Sequence, residues 1–200
     1  MLFSKPHALL MPGSEERFDH GLHALGKVLR LSCEKVSWHR LAKATETLKV
    51  LETTLRKAPL NAPVLIAFNG HGSKMGWEAK GRQKVAYRRI VDVVCRFPHR
   101  ILFLNDTCYG QWLIRELIGR RRSYITGCIT SWESDEIAYS GAIGDAAKYW
   151  SKRMVVENDI TSHTYSADHG EYDMPVQQRW GAAMDHFFFP PSTDEAQAPA

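Results

Sequence analysis

No run in this chain approaches the roughly 18 consecutive apolar residues of a membrane helix, which argues against a membrane partner. The opening Met1-Leu-Phe-Ser-Lys-Pro is too short an apolar stretch for a secretory leader. The four cysteines, Cys33, Cys95, Cys108 and Cys128, never fall in C-x-x-C spacing, which excludes a zinc ribbon. Free thiols in a reducing cytoplasm are the expectation. No internal repeat is evident. Strong charge of one sign is missing too. A net charge of +4, with 24% charged residues, does not by itself call for nucleic acid.

What is present is an ordinary globular composition, 200 residues with 44% hydrophobic. A single domain over residues 1–189 is expected, followed by a disordered tail at 190–200. A domain of ~150 residues already hides about 70% of its unfolded surface, so a sizeable core is available.

Strands and helices alternate along the chain. His7 to Met11 reads as a first strand, ended by Pro12-Gly13. Ser14-Glu-Glu-Arg has the composition of a helix start, and Phe18, Leu22, Leu25, Val28 and Leu29 recur at helical spacing. Cys33 to Trp38 is a second strand, and His39 to Lys57 a helix with a leucine stripe. Val64 to Phe68 is a third strand, followed by a glycine-rich surface loop or small hairpin. Val85 to Phe97 is a helix, Arg100 to Asn105 a fourth strand, and Gln111 to Ile118 a helix. Ser123 to Ile129 is a fifth strand, and Ala142 to Lys152 a further helix. This alternation predicts an α/β fold, a mostly parallel sheet with helices on both faces.

Two of the apolar runs end in residues that can do chemistry. Val64-Leu-Ile-Ala-Phe-Asn-Gly-His71-Gly72 delivers a histidine, and Ile101-Leu-Phe-Leu-Asn-Asp-Thr-Cys108-Tyr-Gly110 delivers a cysteine. Ligands of open parallel sheets bind beyond the carboxyl ends of the strands, so neighbouring strands would bring His71 and Cys108 to one rim. A thiol becomes a nucleophile on deprotonation, which an imidazole and a helix amino terminus both favour. Cys108 would attack a carbonyl, and His71 would act as general acid/base, protonating the leaving amine. A zinc site from Cys108 and His71 with His163 or His169 is the metal-binding alternative. The chemistry expected of the Cys-His dyad needs no metal and no cofactor.

Asn69-Gly70-His71-Gly72 and Asp106-Thr107-Cys108-Tyr109-Gly110, in this order at strand ends, resemble the caspase, metacaspase and legumain group of cysteine peptidases. Ser131-Trp-Glu-Ser-Asp135 and the following Gly141-Ala-Ile-Gly-Asp-Ala-Ala are similar to the segment after the fifth strand in bacterial relatives. The resemblance covers roughly residues 7 to 155. It implies a caspase-like fold with a sheet of about six strands, as in a bacterial stand-alone domain. It also implies an oxyanion hole made by the backbone N–H groups of Gly72 and Cys108. Glycine at 72 would let the substrate approach that backbone.

In metacaspases the aspartate two before the cysteine lines the pocket for a basic residue. Asp106 holds that position and would pair with Arg or Lys at P1; capping of the Gln111 helix is its structural alternative. Caspases proper hold an acidic residue with arginines, and only Arg17 stands in a suggestive place. Ser131, Trp132 and Asp135 are expected to hold the substrate backbone and shape the pocket. Tyr109-Gly110 departs from the Cys-His-Ser-Gly of metacaspases. No prodomain or acidic linker for maturation is evident, so activation is expected to depend on a partner, on a ligand, or on nothing at all. The expected function is a cytoplasmic cysteine endopeptidase acting on a protein or peptide after a basic residue. The alternative is a catalytically weak or inactive binding module of the same fold. Arg120-Arg-Arg122 reads as a solvated helix end, with an anionic partner the competing reading.

Overall fold

The computed structural model describes residues 4–120, 125–130 and 143. Its main sheet is parallel and holds five strands in these residues: β1 (His7–Pro12), β2 (Lys35–Trp38), β3 (Val64–Asn69), β7 (Ile101–Asp106) and β8 (Ile125–Thr130). Their order is β2-β1-β3-β7-β8. The chain steps one way from β1 to β2, then returns past β1 to β3 and continues to β7 and β8. The strand order therefore reverses between β1 and β3, the topological switch point of a doubly wound sheet. The expected tail, and the helix expected at Ala142 to Lys152 apart from Ile143, lie outside the described residues.

Strands β1, β3 and β7 are buried along their whole length, as continuous apolar runs sandwiched on both faces must be. Side chains alternate between faces. Leu9, Met11, Ile66, Phe68, Ile101 and Phe103 join one core cluster. Ala8, Leu10, Leu65, Ala67, Leu102 and Leu104 join another. Helix α1 (Asp19–Ser32) covers the second cluster with Leu22, Leu25, Val28 and Leu29. Helices α2 (Ala44–Lys57), α3 (Tyr87–Val94) and α4 (Gln111–Gly119) cover the first with Leu51, Leu55, Ile90, Val94, Leu113 and Leu117. Helices on both faces, as the alternation predicts, follow from these two clusters.

The glycine-rich stretch after His71 is a small antiparallel sheet of β4 (Gly72–Ser73), β5 (Gly76–Glu78) and β6 (Lys84–Ala86). It is no surface loop: Trp77 is wholly buried and stacks on Phe68 at 4.5 Å between ring centroids. Three helix starts differ from the sequence reading. Helix α1 begins at Asp19 rather than Ser14: Glu16–Phe18 form a 3-10 turn before it, and Gly13 and Phe18 are bonded to Asn69 at the end of β3. Helix α2 begins at Ala44 rather than His39, because the N–H groups of His39 and Leu41 bond the carbonyls of Leu10 and Pro12. Val85 lies in β6, so α3 starts two residues later at Tyr87.

Candidate active site

Three loops leave the carboxyl ends of adjacent strands and meet at one rim: 13–18 after β1, 70–72 after β3 and 107–110 after β7. Register joins the second to the third. Asn69 pairs with Asp106, and the Gly70 N–H donates to the Asp106 carbonyl at 3.2 Å. Gly72 lies closer still. A Cβ built there would sit 2.2 Å from Thr107 Oγ1 and 2.9 Å from the Cys108 carbonyl oxygen. His71 is thus flanked by two glycines that each touch the exit of β7. The sequence reading attributed Gly72 to close approach of substrate; the neighbour that already requires glycine is the chain's own Thr107-Cys108 segment.

The hairpin sets the direction of the Gly72 amide. Gly72 pairs with Trp77, while the Glu78 N–H donates to the His71 carbonyl at 2.8 Å. That bonding makes Gly72–Trp77 a non-hydrogen-bonded pair, so the Gly72 N–H is directed away from β5.

Cys108 is half-buried, whereas Cys33 and Cys95 are buried. Burial pushes the Cys33 thiol up to about 12, which suits an inert core residue. The turn carrying Cys108 is held from below. Asn105, fully buried, donates through Nδ2 to the Gly110 carbonyl at 3.1 Å and accepts from Trp77 Nε1 at 2.7 Å. Tyr109, just after Cys108, takes a left-handed backbone with φ of 57°. Such geometry is uncommon outside glycine and clusters at functional turns. It turns the chain from β7 into α4, whose amino terminus then lies directly behind Cys108. The Lys74 ammonium reaches from the hairpin to 5.8 Å from the Tyr109 ring and 6.0 Å from the Trp112 ring.

No protein-family model matches the chain, and no curated protein matches it. What the rim does must be read from its own residues.

His71 carries most of that information. Its Nε2 lies 2.8 Å from Glu15 Oε1 and 2.8 Å from Arg17 Nη2. Arg17 Nε is in turn 2.8 Å from Glu15 Oε2. The Phe18 ring meets the imidazole edge-on, 5.0 Å between centroids. The loop that delivers these groups is fixed to β3. The Gly13 N–H donates to the Asn69 carbonyl at 2.7 Å, and Asn69 Nδ2 donates to the Phe18 carbonyl at 3.1 Å. Arg40 closes the far side, bonding the Gly13 carbonyl and the Asp19 carboxylate. A groove of about 570 Å³ opens beside His71, lined by Ser14, Glu15, Glu78, Arg82 and Lys84 among others.

Asp106 is 2% exposed, and its Oδ2 accepts from the Ile143 N–H at 3.4 Å. The carboxylate thus lies in the wall of the sheet, where it takes the amide of Ile143. Ser131, Trp132 and Asp135, together with His163 and His169, lie outside the described residues. Among the described residues, no group of three or more His, Cys, Asp or Glu side chains could hold a metal ion. No helix among them is long and apolar enough to cross a membrane.

The sequence reading did not single out Glu15, Trp77 or Asn105. A tryptophan inside a polar, glycine-rich stretch was a signal, since so large an apolar group in a loop has to be covered. Glu15 gave none, because an acid at that position is equally ordinary in the first turn of a helix.

Proposed function

We propose that this chain is a cysteine endopeptidase of caspase-like type, with Cys108 as nucleophile and His71 as general acid/base. The observation that carries the reading is the close approach of Gly72 to the Thr107 side chain and the Cys108 carbonyl, at the ends of adjacent parallel strands that carry the histidine and cysteine turns. Cys108 Sγ attacks the scissile carbonyl carbon, and the tetrahedral oxyanion takes the N–H groups of Gly72 and Cys108. The imidazolium of His71 gives its proton to the departing amine, which leaves a thioester on Cys108. His71 then draws a proton from water, and the hydroxyl adds to the thioester carbonyl. Release of the carboxylate returns the thiol. The outward Gly72 amide, the half-buried thiol and the amino terminus of α4 behind it all support this assignment.

Two residues offer opposite P1 preferences. Asp106, deep in the wall, would pair with a long basic side chain reaching inward. Arg17, with a side chain 60% exposed beside His71, favours an acidic residue as the second reading. A fluorogenic peptide library varied at P1, run on wild type and Cys108→Ala in parallel, decides between them. Turnover after Arg or Lys that is absent in the variant supports the peptidase and the Asp106 pocket. Turnover after Asp or Glu keeps the peptidase and transfers P1 selection to Arg17. No turnover, together with no labelling of Cys108 by a thiol-reactive probe, rejects the enzyme in favour of a binding module.

A further inference from the structure

We propose that Glu15 is the positioning residue of His71, holding the ring through Nε2 so that Nδ1 is the nitrogen that exchanges protons with Cys108 and the leaving amine. The inference rests on the Cys108–His71 reading and adds to it a carboxylate from a third strand end.

One ring nitrogen cannot donate to Glu15 and accept from Arg17 at the same time. The two 2.8 Å contacts at Nε2 therefore correspond to two tautomers. With the proton on Nε2 the ring donates to Glu15 Oε1, and Nδ1 keeps a free lone pair that can act as base. With the proton on Nδ1 the ring accepts from Arg17 and has no base to offer. Transfer of the Cys108 proton to Nδ1 makes an imidazolium, whose Nε2–H bond to a carboxylate is charge-assisted. Glu15 thus favours both the reactive tautomer and the ion pair that follows it. Arg17 has a supporting part: its Nε binds Glu15 Oε2 at 2.8 Å and presents Oε1 to the ring.

The loop is built to hold this geometry. Phe18 is buried and sets its ring against the imidazole, and Gly13 and Phe18 are each bonded to Asn69, two residues before His71. The carboxylate and the ring it holds thus hang from the same strand end. Besides Arg17, the other charged groups about the ring are Glu78, Arg82 and Lys84 across the groove. Glu78 is already engaged by Lys84 at 2.6 Å. Glu15 is accordingly the carboxylate at hydrogen-bonding distance from His71 among the described residues.

Glu15→Gln keeps the shape and removes the charge at a partly exposed position, so the fold survives; a thermal melt checks that it does. Two readouts need no substrate. The first is the ¹⁵N spectrum of the His71 ring. Wild type should carry its proton on Nε2, and Glu15→Gln should redistribute it toward Nδ1. The second is the pH profile of Cys108 alkylation by iodoacetamide. Glu15→Gln should displace the profile toward higher pH, with alkylation roughly tenfold slower near neutral pH. Glu15→Asp should recover part of the loss. An unchanged tautomer and an unchanged alkylation profile in Glu15→Gln overturn the proposal, provided that His71→Gln shifts the profile. If His71→Gln leaves the profile unchanged, the Cys–His reading fails on its own account. The ring spectrum then decides alone: a proton retained on Nε2 in Glu15→Gln overturns the role of Glu15, and its loss upholds it.

Discussion

Adding one methyl group at Gly72 tests the contact on which the site depends. The new Cβ would fall 2.2 Å from Thr107 Oγ1, 3.2 Å from Thr107 Cγ2 and 2.9 Å from the Cys108 carbonyl oxygen. Gly72 is not among the residues with positive φ, so alanine has no backbone objection and the whole effect is steric. Thr107 is 1% exposed and cannot swing into solvent, and the Cys108 carbonyl belongs to the backbone. One segment must move away from the other. Overpacking of this kind costs about 1–3 kcal/mol. Displacing one reacting group by about 1 Å costs on the order of a hundredfold in rate. Gly72→Ala should therefore lower the urea midpoint and slow both peptide turnover and Cys108 alkylation.

The cause is tested by a double-mutant cycle. Thr107 Oγ1 has no hydrogen-bond partner among the described residues, so Thr107→Ala should by itself cost little. It removes the two threonine clashes and leaves only the carbonyl. Gly72→Ala with Thr107→Ala should then be more stable than the sum of the single changes, with a coupling of about 1 kcal/mol or more. Gly26→Ala is the control: its new methyl meets chiefly the tip of Leu10 at 3.0 Å, and alanine is the better helix former. Wild-type stability and alkylation rate in Gly72→Ala would refute the close approach of the two loops.

Further outcomes are expected at the supports of the site. Trp77→Phe keeps an aromatic ring on Phe68 but removes the donor to buried Asn105, at a cost of about 1–3 kcal/mol. Hydrogen exchange should then rise at residues 108–110, which Asn105 holds through Gly110, and no such change would show that the bond does not brace the turn. Cys33 should escape alkylation in the native protein at pH 8, where Cys108 reacts, and a peptide map by mass spectrometry reads this directly. Its folded pKa of about 12 lies above the ordinary 9.0, so the unfolded chain loses that proton first. Its contribution to stability is complete below pH 9.0 and is lost as pH rises toward about 12. Denaturant titrations of Cys33→Ala should show a shallower decline over that window than wild type.

The sheet was legible because burial on both faces leaves a continuous apolar run, and Val64–Asn69 and Ile101–Asp106 are such runs bounded by polar residues. The same runs located His71 and Cys108, since a parallel strand's carboxyl end is the rim. The segment 14–18 was not legible. Ser14-Glu-Glu-Arg satisfies every local rule for a helix start, and the long-range bonds of Gly13 and Phe18 to Asn69 hold the segment to a rim turn that closes in a short 3-10 helix at Glu16–Phe18. The hairpin was half legible. Its glycines marked turns, but nothing local says that Gly76 must face the Val85 carbonyl, where an added Cβ would come within 2.1 Å. Val85 fits the apolar face of a helix equally well, and tertiary pairing took it for β6 instead.

The switch point explains why the rim is assembled from these elements. Loops leaving β1 and β3 pass to opposite faces of the sheet, because α1 covers one and the hairpin with α3 the other. A crevice between them follows from topology, and Glu15 and Arg17 enter it from the β1 side to reach His71. Strands β3 and β7 continue in the same direction, so their loops crowd each other, and glycine at 72 is what that crowding demands. His71 stands at the boundary between the two regimes, with an open crevice on its Glu15 side and, at the next residue, the tight approach of Gly72 to Thr107 and the Cys108 carbonyl. That asymmetry suits a base with two different nitrogens. On the proposed reading, Nε2 is held by a carboxylate that has room to move with protonation, which leaves Nδ1 for proton exchange.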